Sequence, residues 1–193
     1  MGIHEALGGI VTPARLRIAD TVLVVVDMQE RLLPAIHENE RVVANTRLLL
    51  RAGAALALPM VITTQYLKGL GPTHAAVAEL APPGVPIDKL TFSCFGSPAF
   101  VSSLEASGRK TILLCGVEAH ICVLQTGLDA LAAGYAVHVA ADATGSRAAG
   151  NAALGHARLE RAGAVLSSTE MAIYEMLGAS GTPAFKSLLP HFK

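Results

Sequence analysis

Three side chains whose types can act together on an acyl group lie far apart in the sequence. Asp27 follows five apolar residues in TVLVVVDMQ, Lys89 lies in IDKLTFSCF, and Cys122 lies in LLCGVEAHICV. A deprotonated thiol is a nucleophile, a carboxylate can take its proton, and an ammonium group can stabilise the resulting charge. Each residue also has a structural interpretation: a cap for Asp27, a solvated side chain for Lys89, helix packing for Cys122.

Alternation of short apolar runs with helical patterns predicts the elements that position these residues. The predicted strands cover residues 21–26, 60–63, 87–90, 111–115, 135–140 and 164–166. The predicted helices cover residues 39–58, 98–107 with Ser97 as cap, a stretch between Gly116 and residue 133, 146–163 with Ser146 as cap, a helix opened by a capping box in 167–170, and one opened at Thr182. A Gly- and Pro-rich loop is predicted over residues 68–73. This pattern predicts a three-layer α/β/α fold with a mostly parallel, Rossmann-like central sheet.

The ends of the predicted strands are where a ligand is expected, because parallel α/β sheets bind ligands at their carboxyl edge, near the point where strand order reverses. Asp27 follows the first strand directly. Cys122 falls in the first turn of a helix, where backbone N–H groups and the helix dipole lower a thiol pKa. Lys89 is followed by Phe92 and Phe95 in a chain with only 4% aromatic residues, which favours an aromatic-walled pocket.

Length, composition and charge limit the class of protein. The 193 residues, 52% of them apolar and with a mean hydropathy of +0.48, predict a single domain over 1–193 with a large core. Lys+Arg and Asp+Glu both number 15, so the formal net charge is +0 and the basic face of a nucleic-acid binder is not visible. The longest apolar run, near residues 21–26, is too short to span a bilayer, and residues 1–16 lack a signal-peptide pattern.

The three cysteines indicate a reducing compartment. Their number is odd and no CxxC spacing occurs, which predicts free thiols and a cytoplasmic location. Cys115 lies inside a predicted strand and is interpreted as inert packing. Cys94 lies near Lys89, either as a partly buried structural thiol or as part of the pocket wall.

These motifs resemble a known family. VVVDMQ at the end of a strand, a lysine before FSCF, and GVEAHICV at the start of a helix occur in the order seen in the isochorismatase-like cysteine hydrolases. The resemblance extends over about residues 19–176. The segments TQYLKGLGPT (residues 64–73) and GVEAHICVLQT (residues 116–126) are similar to the isochorismatase domain-containing subgroup.

The resemblance implies a catalytic triad of Asp27, Lys89 and Cys122. It also implies a cis peptide bond between Val117 and Glu118, which aims the amides of Glu118 and Cys122 into an oxyanion hole. From the loops that follow the strands, we expect the substrate-binding residues to be Gln65, Tyr66, Phe92, Phe95 and His120.

The resemblance also bears on metals and cofactors. Nicotinamidases of this family carry a metal site after the second strand, built from Asp-x-His and a further His. The segment in that place here is TTQY, residues 63–66, so no catalytic metal and no cofactor are expected. His74 and His120 are the nearest candidates, and two scattered histidines are more typical of surface or pocket positions.

The expected function is hydrolysis of a small amide, ureide or related C–N bond through a covalent acyl-cysteine intermediate. The alternative is a catalytically silent family member that acts as an oligomeric interaction module. A nuclease, proposed for some relatives of the subgroup, is disfavoured by the neutral charge. The expected partners are a small-molecule substrate and further copies of the chain, as a homo-oligomer of two or more subunits, with no nucleic acid and no membrane.

Overall fold

The computed structural model describes residues 15–84 and 86–192. The interpretation of residues 1–16 falls almost wholly outside these ranges, and the single-domain prediction partly so. Six strands are present in the described part: β1 Thr21–Val26, β2 Met60–Gln65, β3 Ile87–Lys89, β4 Thr111–Val117, β5 Ala136–Gly145 and β6 Val165–Ser167.

All six strands pair in parallel in one sheet, in the order β3-β2-β1-β4-β5-β6. The chain therefore moves outward from β1 in one direction, returns, and moves outward from β4 in the other. The reversal between β1 and β4 is the switch point at which folds of this kind open a crevice for ligands. The predicted three-layer α/β fold with a parallel sheet is confirmed.

Strand β1 is buried along its whole length because both faces of the sheet are covered. Its side chains alternate: Leu23 and Val25 enter one hydrophobic cluster, and Val22, Val24 and Val26 enter the other. A continuous β-branched run with no polar face is thus what a central parallel strand requires.

The helices form the two outer layers. Through their buried side chains, α1 and α7 cover one face, and α4, α5 and α6 cover the other. No helix within residues 15–84 and 86–192 is long and apolar enough to cross a membrane. The bounds are α1 Asn39–Ala55, α2 Leu67–Leu70, α3 Ala75–Ala78, α4 Pro98–Ala106, α5 Cys122–Ala132, α6 Ala149–Arg161, α7 Thr169–Leu177 and α8 Pro183–Leu188, with single 3₁₀ turns at Leu33–Ala35, Cys94–Gly96 and Leu189–His191.

Gly116 does not end β4, contrary to the prediction. The strand continues to Val117, and Gly116 pairs with Val26 of β1 at a φ of +112°. A Cβ atom placed on Gly116 would lie 2.1 Å from the Val26 carbonyl oxygen. Glycine is therefore needed here for close approach of the two central strands as well as for its backbone angle.

Two of the predicted helix caps are also displaced. Helix α6 begins after Ala148, because β5 runs on to Gly145 and the Ser146 carbonyl accepts a bond from His37 instead of starting a helix. Helix α7 is capped by Ser168, whose hydroxyl accepts from the Met171 amide at 3.1 Å, one residue later than the predicted box. In each case the preceding strand ends later than predicted, β5 by five residues and β6 by one.

The remaining boundaries differ by shorter amounts. Helix α1 ends at Ala55, three residues before the predicted end, and the loop predicted over residues 68–73 begins with the short helix α2. Ser97 occupies the cap position of α4 without a side-chain cap bond. Thr182 caps α8 as predicted, accepting from the Phe185 amide at 3.1 Å.

Replacing Gly116 with alanine is expected to lower the free energy of unfolding by about 3 kcal/mol or more, because the methyl group meets backbone that cannot move without parting β1 from β4. Gly163 is a matched control, since it has a φ of +107° and nothing lies within 4 Å of the position that a methyl group would take. Gly163→Ala should cost about 1–2 kcal/mol from backbone strain alone. Urea denaturation of both variants measures the difference, and equal losses would contradict the close-contact argument.

Candidate active site

The three candidate catalytic residues converge at the carboxyl edge of the sheet. Asp27 follows β1, Lys89 is the last residue of β3, and Cys122 is the first residue of α5, after β4. Asp27 has a φ of +51°, in the left-handed region that an L-residue occupies at a cost of about 1–2 kcal/mol. Its amide donates to the Thr63 carbonyl at 3.2 Å, and its carbonyl accepts from the Gln29 amide at 2.8 Å. These two hydrogen bonds hold the left-handed conformation.

Asp27 and Lys89 form a buried ion pair. The Lys89 Nζ lies 2.7 Å from the Asp27 Oδ2, and the two side chains are 1% and 0% exposed. Burial by itself lowers the pKa of Lys89, but the Asp27 charge and, to a smaller extent, the two nearby thiols reverse this and raise it. Lys89 is therefore a cation throughout the neutral pH range.

Every proton of the Lys89 ammonium group has a hydrogen-bond acceptor within the protein. Besides Asp27 it donates to Gln65 Oε1 at 2.8 Å, to the Phe92 carbonyl at 3.1 Å and to the Thr91 carbonyl at 3.3 Å. An ammonium has three protons, so these four acceptors leave none for a substrate. Lys89 can act on the chemistry only through its charge.

The second oxygen of Asp27 is held by Thr63, which sequence reasoning missed. The Thr63 hydroxyl donates to Asp27 Oδ1 at 2.8 Å, and both side chains are fully buried. Thr63 precedes the end of β2, and β2 pairs directly with β1. A hydroxyl-bearing residue inside a buried strand was the available signal.

Cys122 is nearly buried, with 6% of its surface exposed, and it lies close enough to Asp27 and Lys89 for both charges to act on its thiol. Burial, and next the negative charge of Asp27, raise the pKa of the thiol to about 12, although the charge of Lys89 opposes them. The expectation of a lowered pKa at the helix N-terminus is thus wrong for the resting protein. The thiol is therefore neutral at physiological pH.

The segment between β4 and α5 includes the Val117–Glu118 peptide bond, which is cis. The Glu118 carboxylate is buried and pairs with Arg147, whose Nη2 lies 2.7 Å from Glu118 Oε1 and whose amide donates to Oε2 at 2.9 Å. Burial opposes ionisation of Glu118, but the hydrogen bonds and charge of Arg147 outweigh it and lower its pKa. Glu118 is therefore an anion bound within the protein.

Comparison with known proteins shows the family of this chain. Residues 21–171 match the model of the Isochorismatase domain. Isochorismatase domain-containing protein 2 of Danio rerio is 37% identical over 176 residues, which is 90% of this chain and 87% of that protein.

The chain belongs to the isochorismatase family.

Two solved structures of similar shape extend the comparison. The MAR1 ribonuclease of Caenorhabditis elegans superposes with a TM-score of 0.87 at 35% identity, over 92% of each chain. YcaC of Pseudomonas aeruginosa, determined with hexane-2,5-diol and covalent acrylamide, superposes with a TM-score of 0.87 at 26% identity, over 93% of this chain and 92% of that one. The isochorismatase-family hydrolase fold of this chain is thereby shown.

The predicted substrate-binding residues of this isochorismatase domain are not all brought to the triad. Gln65 is, but its side chain is engaged, since it accepts from Lys89 and donates to the Leu90 carbonyl at 2.8 Å. Tyr66 and Phe92 are about half exposed and contact Lys89 through backbone groups: the Tyr66 amide donates to the Lys89 carbonyl, and the Phe92 carbonyl accepts from Lys89 Nζ.

The other two predicted substrate-binding residues have different settings. His120 lies near the start of α5, with its Nδ1 2.9 Å from the Ser146 hydroxyl. Phe95 packs edge-on against Phe100 and Tyr135, with ring centroids 5.4 and 6.2 Å away. Phe95 is partly buried against the hydrophobic cluster that α4 and α5 cover, and its ring contacts do not join it to the triad.

Gln29, the last residue of VVVDMQ, is a second residue that sequence reasoning missed. It is fully buried, and its amide nitrogen donates to the Gln65 carbonyl at 3.1 Å and the Gly71 carbonyl at 2.7 Å. Its amide oxygen accepts from the Gln65 amide at 2.7 Å. Gln29 thus fixes the end of β2, and through Gln65 it fixes Lys89.

The other two cysteines are fully buried. Burial raises the pKa of Cys115 to about 12 and that of Cys94 to about 11. The Cys94 amide donates to the Thr126 hydroxyl at 3.0 Å, and its Sγ lies 3.9 Å from the Thr63 hydroxyl, so it borders the triad. Within residues 15–84 and 86–192, no group of three or more His, Cys, Asp or Glu side chains is placed to hold a metal ion.

Alkylation of Cys122 by iodoacetamide should accelerate about tenfold per pH unit from pH 7 to pH 10, because the thiol pKa is raised to about 12 and only the thiolate reacts. Site-resolved mass spectrometry distinguishes Cys122 from the fully buried Cys94 and Cys115, which should label more slowly. N-acetylcysteine amide, which has no neighbouring charge, is the reference and should level off above its ordinary pKa of about 8.5. A plateau for Cys122 below pH 8 would contradict the resting thiol.

Lys89→Met should slow the alkylation of Cys122 at neutral pH, because the Lys89 charge lowers the thiol pKa. It should also reduce the free energy of unfolding by about 3–5 kcal/mol, since the buried Asp27 charge loses its partner. Lys68→Met, at an exposed position on α2, is the control and should change neither quantity. Unchanged thiol reactivity in a folded Lys89→Met protein would remove Lys89 from its electrostatic role.

Proposed function

We propose that this protein is a cysteine-dependent hydrolase of a small amide, ureide or related C–N bond, acting through an acyl-cysteine intermediate. The observation that carries the proposal is the buried contact set of Lys89, Asp27 and Cys122 at the switch point of the sheet. A buried ion pair is a weak source of stability. A thiol beside a buried carboxylate and a buried ammonium group is, in contrast, the arrangement that nucleophilic catalysis requires.

The first step follows from the protonation states. Cys122 is a thiol, Asp27 an accepting carboxylate and Lys89 a cation. As the sulfur attacks the carbonyl carbon, the S–C bond forms and the thiol proton passes to Asp27, so that no free thiolate accumulates. Lys89 keeps the carboxylate in place and favours negative charge on the sulfur, without donating a proton itself.

The remaining steps use the same groups. The amides of Glu118 and Cys122 are assigned to the developing oxyanion. Asp27 returns the proton to the leaving nitrogen as the C–N bond breaks, which leaves a thioester on Cys122. Water, deprotonated by Asp27, then attacks the thioester, and the thiol re-forms as the acid product leaves.

The relative with covalent acrylamide supports this chemistry. Acrylamide is a small primary amide with an activated double bond, and its covalent capture in that YcaC structure shows a reactive group in that protein. Addition to that double bond indicates a nucleophile in the relative and leaves the amide bond intact. The partners proposed for this chain are a small-molecule substrate and further copies of the chain itself. The proposed location is the cytoplasm.

Ribonuclease activity is the second candidate, because the similar structure from Caenorhabditis elegans is described as a ribonuclease. The formal net charge of +0 argues against it, since RNA binding draws most of its affinity from cationic side chains on phosphates. A steep fall of RNA affinity with added salt would favour this candidate. A silent interaction module is the third, and it predicts an unreactive Cys122.

Two matched variants test the proposal, with ammonia release from a panel of primary amides and ureides as the assay. Cys122→Ser should reduce the best turnover by about a thousandfold or more, because the hydroxyl is a far weaker nucleophile than the thiol. Asp27→Asn should also abolish turnover, yet it should speed alkylation of Cys122 at neutral pH, because the carboxylate that raises the thiol pKa is gone.

Incubation with acrylamide and peptide mass spectrometry gives an independent measurement. One adduct on Cys122 and none in Cys122→Ser is the expected result. Turnover that survives in the folded Cys122→Ser variant would overturn the proposed mechanism. An inert Cys122 with no turnover on any compound would favour the silent module.

A further inference from the structure

Four large hydrophobic side chains are exposed around Lys89: Tyr66 at 49%, Leu67 at 42%, Leu90 at 74% and Phe92 at 54%. We call them the Lys89 rim. They make up four of the nine large hydrophobic side chains that are exposed within the described residues. Such a concentration of exposed apolar surface is typical of a binding site.

Hydrogen bonds fix the Lys89 rim to the triad. The Tyr66 amide donates to the Lys89 carbonyl at 2.9 Å. The Gln65 side-chain amide donates to the Leu90 carbonyl at 2.8 Å, and Lys89 Nζ donates to the Phe92 carbonyl at 3.1 Å. The rim is therefore joined to the same groups that hold Lys89, and it is the exposed apolar surface next to them.

The charged groups that border the triad are paired with one another, while exposed Arg31 donates to the Gly69 carbonyl of α2 at 3.1 Å. Lys89 is paired with Asp27, and Arg147 with Glu118. The ammonium of Lys89 is also saturated by its acceptors, so it cannot bind a substrate carboxylate. Beside the rim, exposed Lys68 and exposed Asp88 are of opposite sign. This distribution favours an uncharged substrate over an anion.

We propose that the Lys89 rim binds the apolar acyl group of a neutral substrate, so that the preferred substrates are uncharged amides with an aliphatic or aromatic acyl chain. This inference rests on the proposed function and adds the substrate class to it. Each methylene that the rim covers completely should increase the acylation rate about fourfold. A methylene that the rim covers only partly should give a smaller increase in the acylation rate.

Nitrophenyl esters of graded chain length measure the acyl preference directly. Cys122 attacks the ester carbonyl, the S–C bond forms, the C–O bond breaks, and nitrophenolate leaves with the bonding electrons while Asp27 takes the thiol proton. The yellow product reports the acylation rate. Rates are divided by those of N-acetylcysteine with the same ester, which removes differences in intrinsic ester reactivity.

The expected result is that p-nitrophenyl hexanoate acylates Cys122 about tenfold or more faster than the acetate. The mono-p-nitrophenyl ester of adipic acid, which has the same chain length and a terminal carboxylate, should be at least about tenfold slower than the hexanoate. In Leu90→Ala/Phe92→Ala the hexanoate-to-acetate ratio should fall about threefold or more. Leu154→Ala is the control, because Leu154 is 66% exposed on α6 and its loss should leave the ratio unchanged.

Three outcomes would overturn the inference while Cys122 still reacts. The first is a hexanoate-to-acetate rate ratio no higher than that of the free thiol, and the second is an adipate ester that acylates Cys122 as fast as the hexanoate does. The third is an unchanged rate ratio in Leu90→Ala/Phe92→Ala. A fourth is sedimentation in which the double variant dissociates from an oligomer, since the rim would then be a contact between copies of the chain. Failure of every ester to acylate Cys122 would instead overturn the proposed function.

Discussion

The buried ion pair between Asp27 and Lys89 is the interaction on which the rest of the site depends. Two charges removed from water are tolerated only when each is paired and its remaining hydrogen-bonding capacity is met. Thr63 occupies the second oxygen of Asp27, and Gln65 with two backbone carbonyls occupies the other protons of Lys89. Residues from three strands and the loop after β3 are thereby fixed relative to one another.

This requirement explains the positions of polar residues that have no contact with the thiol. Gln29 is buried, and both its amide nitrogen and its amide oxygen are hydrogen-bonded. Two of these bonds go to the backbone of Gln65 and so hold the residue whose side-chain oxygen accepts from Lys89. At the other side of the switch point, Glu118 is bound by Arg147, which ties the turn before α5 to the end of β5. The apolar sheet thus ends in a layer of paired charges, and Cys122 lies within that layer.

The sequence was sufficient for the architecture because continuous apolar strands and the helices between them carry strong periodic signals. It also brought Asp27, Lys89 and Cys122 to one edge, since residues that follow parallel strands share that edge. It failed where an outcome depends on contacts between distant elements. The extension of β4 through Gly116 depends on the packing of Val26, the placement of Phe95 depends on Phe100 and Tyr135, and the pKa of Cys122 depends on burial, none of which a local pattern records.

The raised pKa of Cys122 has a consequence for the durability of the protein. Peroxides oxidise thiolates to sulfenic acids and react slowly with neutral thiols. Because burial keeps Cys122 as a neutral thiol, we expect peroxides to oxidise it more slowly than they would oxidise a thiolate at the same position. The burial that slows an artificial alkylating reagent should slow oxidation for the same reason.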